Sequence, residues 1–159
     1  MRIQSVPIAV NATHNVARND TTVSLLLITH DEIGSALLHA VTNTLGNLPI
    51  PTQVVSIDYK TDPEQLIPKL QKIVQDVTSQ HSLLILTDLF GSTPSNIAQA
   101  LQDFTHVRVV AGLNLPMLIR VMNYPTLSLE ALVEKALSGG KDGVCCCNKP
   151  QNDDVEDIH

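Results

Sequence analysis

The chain has no tryptophan, and aromatic residues make up only 3% of it, so its core has to be built from Leu, Val, Ile and Ala. Cations are also few: 10 Lys and Arg against 16 Asp and Glu leave a formal net charge of −6. That balance argues against nucleic acid as the main ligand, because binding a phosphate backbone needs concentrated positive charge. No apolar run approaches the ~18 residues that mark a membrane span. Pro7 and Asn11 interrupt the one apolar patch near the N-terminus, so no signal-peptide h-region is expected and the chain reads as cytoplasmic. Its three cysteines are consecutive, Cys145-Cys146-Cys147. Adjacent cysteines do not easily reach disulfide geometry, and no spaced Cys/His set offers a zinc site. No metal or cofactor is expected. A P-loop and a Rossmann glycine pattern are likewise missing, which argues against direct nucleotide binding.

What is present is a globular composition, 43% apolar and 16% charged over 159 residues, enough for one domain with a real core. Residues 1–20 show no clear periodicity and read as a loose leader, with a domain at 21–147. Residues 148–159 end in the acidic run Asp153-Asp154-Val155-Glu156-Asp157 and read as a flexible tail. Within the domain, short apolar runs without alternation (Thr22–Thr29 and Ser82–Leu86) fit strands covered on both faces. Gln53–Ile57 and Val107–Ala111 add two more strands.

Helices are expected between them. One covers Gly34–Leu45, with Thr29 or Asp31 as a possible cap. A second opens at Thr61-Asp62-Pro63-Glu64, with Leu66, Ile67, Leu70, Ile73, Val74 and Val77 on one face. A third starts at Pro94, a fourth runs to about Met122, and a fifth spans Ser128–Ser138, closed by Gly139-Gly140. Val144–Cys146 reads as a final short edge strand. Alternating strands and helices give an α/β fold, a three-layer sandwich around a parallel sheet with right-handed crossovers.

In such sheets ligands bind beyond the carboxyl ends of the strands. His30 and Asp88 stand there, at the exits of two apolar runs. A neutral imidazole keeps a lone pair on one ring nitrogen, which makes it a phosphoryl acceptor. A carboxylate bound to the other nitrogen fixes the tautomer and steadies the positive ring formed on attack. Phosphoryl transfer also needs donors for the equatorial oxygens, and Gly91, Ser92 and Thr93, ahead of Pro94, are the candidates. Each feature has a plainer reading: histidines after strands often serve loops, and Ser/Thr-Pro is an ordinary helix entry. His14, His39, His81, His106 and His159 fall in tails, inside a helix or just before strands.

Three blocks carry a resemblance. They are Thr29-His30, the run Thr87-Asp88-Leu89-Phe90-Gly91-Ser92-Thr93-Pro94-Ser95-Asn96, and the run Val109-Val110-Ala111-Gly112-Leu113-Asn114-Leu115-Pro116-Met117. Together they make the chain, over about Val23–Val144, similar to the EIIA component of the mannose family of the bacterial sugar phosphotransferase system. The resemblance implies that His30 accepts phosphate from an HPr-type histidine phosphocarrier protein and that Asp88 is its hydrogen-bonded partner. Thr93 stands where the family commonly has Ser. Phe90, where many members have Trp, would contact a partner. It also implies a parallel sheet of order 2-1-3-4 and a homodimer exchanging an antiparallel fifth strand, here Val144–Cys146. A free-standing IIA would then pass phosphate to a IIB protein or use it as a regulatory signal. The alternatives are the related phosphotransferase subunit of a dihydroxyacetone kinase system, whose strand exit typically reads Met-Gly-Ser-Ala, and a non-catalytic regulatory module. An unrelated doubly wound domain binding a small anion at Gly91–Thr93 is a further alternative.

Overall fold

The computed structural model describes residues 3–5, 22–102 and 105–147. Its strands are β1 (Ile3–Ser5), β2 (Val23–His30), β3 (Thr52–Ile57), β4 (Ser82–Thr87) and β5 (Val107–Ala111). Its helices are α1 (Ile33–Leu45), α2 (Pro63–Thr78), α3 (Thr93–Gln99), α4 (Leu115–Met122) and α5 (Leu129–Asp142). The sheet order is β1-β3-β2-β4-β5. Strands β2 to β5 are mutually parallel, so the four parallel strands, numbered by themselves, run 2-1-3-4 as expected.

The apolar runs are continuous because both faces of the central strands are covered. Every residue of β4, and all of β2 except His30, is buried. Leu25, Leu27, Leu84 and Leu86 pack with Leu38 and Val41 of α1, Leu118 and Val121 of α4 and Leu132 and Ala136 of α5. Their neighbours Leu26, Ile28, Leu83 and Ile85 point the other way, onto Leu66, Leu70 and Val74 of α2 and Ile97 and Ala98 of α3. The period-2 alternation of strand side chains thus builds two cores from one apolar run.

Within one chain residues 144–147 form neither helix nor strand, and Val144 is exposed; the edge strand expected at Val144–Cys146 is one exchanged with a second copy. Three expectations need correction. Residues 3–5 of the supposed leader belong to the sheet, where β1 pairs antiparallel with β3; the tail after Cys147 lies outside the described residues. Gly139-Gly140 does not end α5, which continues to Asp142. These glycines are contact points. A Cβ on Gly139 would lie 2.5 Å from Arg120 Cβ, and one on Gly140 would lie 2.7 Å from Met117 Cε. The pair lets α5 press against α4, and the helix tolerates the conformational cost. Neither expected residue stands at the N-cap of α1, which is Glu32 without a side-chain bond; Thr29 Oγ1, from within β2, accepts from the Gly34 N–H at 2.9 Å.

Candidate functional site at the mouth of the sheet

Strand register explains how His30 and Asp88 meet. The β2–β4 ladder ends at Ile28 opposite Thr87, while β2 continues to His30 alongside Ile57 of β3. On the β4 side, the His30 N–H therefore runs past the end of the ladder. Asp88 Oδ2 accepts from it at 3.1 Å, in place of a strand carbonyl. The same oxygen lies 2.9 Å from His30 Nδ1. Asp88 Oδ1 accepts from the Leu89 N–H at 3.0 Å. The carboxylate is thus held by two backbone donors and one ring donor, and its side chain is only 9% exposed.

That arrangement decides the tautomer. An ionised carboxylate only accepts, so the proton between the two groups sits on Nδ1. Nε2 keeps the lone pair, on a ring whose side chain is 39% exposed. No other hydrogen bond to the ring is formed among the described residues. The ring is thus half-exposed, with its Nδ1 side held by the carboxylate.

The loop after β4 is shaped by local bonds. Gly91 takes φ +79, and no atom lies within 4 Å of where its Cβ would be, so the position requires backbone freedom and not close packing. Ser92 caps α3: its hydroxyl donates to the Leu89 carbonyl at 2.6 Å and accepts from the Ser95 N–H at 3.5 Å. That hydroxyl is therefore already committed, whereas Thr93 is exposed at the first position of α3. Phe90 is 76% exposed, and its neighbour Leu89 is 60% exposed.

Sequence reasoning missed part of this rim. Tyr59, after β3, is 91% exposed and Ile33, after β2, is 43% exposed. Together with Leu89 and Phe90 they place apolar side chains on the exits of three neighbouring strands. A large apolar or aromatic residue two or three positions past the end of each strand was the available signal. Nearby, the Asp58 carboxyl is held below its ordinary value, first by the Thr61 hydroxyl and then by the Lys60 N–H, which stiffens the β3–α2 turn.

The Gly112–Met117 block does a different job. Gly112 takes φ +92. Asn114 caps α4 by accepting from the Met117 N–H at 2.9 Å, and its amide donates to the Gly140 carbonyl of α5 at 3.1 Å. The block thus ties the exit of β5 to both helices, and its Leu113 N–H donates to the Thr87 carbonyl of β4 at 3.0 Å.

The family profile EIIA-man, described as "PTS system fructose IIA component", matches residues 24–137. The chain belongs to this family. It is similar to the "PTS system fructose-specific EIIA component" of Bacillus subtilis (strain 168), with 33% identity over 86 residues, covering 52% of this chain and 59% of that protein. It is also similar to the "PTS system mannose-specific EIIAB component" of Escherichia coli (strain K12), with 29% identity over 128 residues, covering 77% of this chain and 39% of the relative. The chain thus spans less than two thirds of the length of either. Among solved structures, the "Mannose/sorbose specific IIA subunit of phosphotransferase system" from Enterococcus faecalis superposes with a TM-score of 0.72 at 27% identity, covering 82% of this chain and 98% of that one. The EIIA component from Streptococcus agalactiae shares the fold, with a TM-score of 0.69 at 24% identity, covering 79% and 97%. As a IIA component of the mannose family, the chain is of a kind that acts in phosphoryl transfer. No helix among its described residues is long and apolar enough to cross a membrane.

Proposed function

We propose that this EIIA-man protein is a cytoplasmic phosphocarrier in which His30 Nε2 takes a phosphoryl group from a phosphorylated HPr-type histidine carrier and hands it on. The observation that carries the reading is the 2.9 Å contact between His30 Nδ1 and Asp88 Oδ2, which leaves Nε2 as the nucleophilic atom. In the forward step the Nε2 lone pair forms an N–P bond as the donor's N–P bond breaks. The donor nitrogen recovers its lone pair, and the Nδ1 proton stays where it is. The ring becomes cationic, and the adjacent carboxylate stabilises that charge in a site it already occupies. Transfer onward to a IIB protein is the same step in reverse. Where no IIB partner is engaged, the phosphorylation state of His30 is itself the signal.

Gly91, Ser92 and Thr93 are the proposed phosphate contacts, through backbone N–H groups and the exposed Thr93 side chain. Phe90, with Leu89, is the proposed partner contact. A homodimer, with Val144–Cys146 of each copy added to the other's sheet, is part of the same reading. The β5 edge has no strand beside it among the described residues.

The test is incubation with phosphoenolpyruvate and the general phosphotransferase components. The expected product is one acid-labile, alkali-stable phosphate, lost in His30→Ala. An unlabelled wild type, or label persisting in His30→Ala, overturns the assignment.

A further inference from the structure

The residue after the acceptor carries an anomaly. Asp31 takes φ +40 and is the only non-glycine with positive φ among the described residues. Left-handed backbone is disfavoured for an L-residue with a Cβ, Asp and Asn tolerating it better than most, and glycine fills such positions freely. The geometry is imposed by the fold. Only Asp31 and Glu32 separate β2 from α1, and the Asp31 N–H is pinned to the Ile57 carbonyl at 3.1 Å. The chain must turn sharply there, yet a charged side chain occupies the turn. Asp31 is exposed, and its carboxylate has no ion-pair partner among the described residues. It does not cap α1 either, since the Gly34 N–H is taken by Thr29. Nothing in the packing accounts for the carboxylate.

We propose that Asp31 is a specificity-determining residue of the phosphoryl-transfer step, selecting a phosphoprotein donor whose reactive face is basic; this rests on His30 being the acceptor. Consecutive Cα atoms lie about 3.8 Å apart, which puts this unpaired charge within about a Debye length of the imidazole. Toward a donor with cations around its phosphohistidine, the carboxylate adds attraction that raises the encounter rate and falls with salt. Toward the phosphoryl group once on His30, it adds repulsion. The phosphorylated imidazole is then a less comfortable holder and gives the group up more readily. Across about 8 Å of largely aqueous medium each effect is worth roughly two- to five-fold.

The experiment compares wild type, Asp31→Asn, Asp31→Gly and Glu32→Gln in transfer from a phosphorylated histidine carrier, at low and high salt. Asp31→Asn keeps the side-chain shape and removes the charge. Asp31→Gly removes the charge and relieves the backbone. Glu32→Gln removes an equal charge one residue further on, at an ordinary φ of −92. Both Asp31 variants are expected to raise KM about two- to five-fold at low salt with kcat little changed, to flatten the salt dependence, and to lengthen the phosphohistidine lifetime by a similar factor. Glu32→Gln should do less. Only Asp31→Gly should raise Tm, which separates strain relief from charge. An unchanged salt slope in Asp31→Asn, or equal effects from Glu32→Gln, overturns the proposal while leaving His30 as acceptor. Failure of the wild type to be labelled overturns both.

Discussion

Removing the Asp88 carboxylate gives the sharpest test of how this site works. In the native protein one Asp88 oxygen serves both the His30 ring and the His30 N–H, and the other serves the Leu89 N–H. Asp88→Asn cannot satisfy all three donors. If the amide oxygen faces His30, its NH2 confronts the Leu89 N–H. If the amide is flipped, the NH2 confronts the His30 N–H and favours an unprotonated Nδ1, which moves the ring proton to Nε2 and removes the attacking lone pair. A hydrogen bond to a charged group contributes about 1.5–3 kcal/mol. At about 1.4 kcal/mol per tenfold, losing that contribution from the transition state slows transfer by roughly 10- to 150-fold. Stability should fall less, by about 1–2 kcal/mol, because the exposed Leu89 N–H regains water while the His30 N–H is only partly compensated. Single-turnover transfer from a phosphorylated histidine carrier, with a parallel denaturant titration, measures both quantities. If Asp88→Asn is folded and transfers at the wild-type rate, the carboxylate neither sets the tautomer nor stabilises the ring, and the mechanism above is wrong.

Two further outcomes follow from packing and exposure. Gly139→Ala should destabilise by about 1–3 kcal/mol despite alanine's better helix propensity, because its Cβ would sit 2.5 Å from Arg120 Cβ. Gly140→Ala should cost less, since the obstacle at 2.7 Å is the movable end of Met117; thermal denaturation of the two variants that gave the same cost would refute the distinction. Phe90→Ala, at a side chain 76% exposed, should leave Tm within about 1–2 °C and raise KM for the phosphodonor several-fold, a typical loss for an aromatic interface contact. A large fall in Tm would reassign Phe90 to the fold.

How much of this was legible in the sequence depends on the range of the interaction involved. Solvent exclusion writes itself into local patterns. The unbroken runs in β2 and β4, the apolar stripe of α2 and the Asp62-Pro63-Glu64 entry were enough to place four parallel strands and five helices, because burial and capping act within a few residues. The position of His30 and Asp88 beyond strand ends was readable for the same reason. The grip of one side chain on the other was not. It depends on β2 outrunning β4 by two residues in the final register, and on a carboxylate taking the place of a missing carbonyl.

The misreadings share one cause. Gly139-Gly140 looks like a helix stop when only the chain is considered, since glycine is the commonest way to end a helix; only the approach of α4 shows that the absent Cβ atoms are the point. Ile3–Ser5 carries too few residues for any periodicity to register, and becomes a strand only because β3 offers an unpaired edge. Val144–Cys146 has the β-branched start of a strand but pairs with no strand of its own chain among the described residues. The sequence alone therefore determined the class of the fold, its layers and the chemistry available at its mouth. Which edge is closed, how α4 and α5 touch, and which nitrogen of His30 is free were decided by contacts between residues far apart in the chain, which no local pattern encodes.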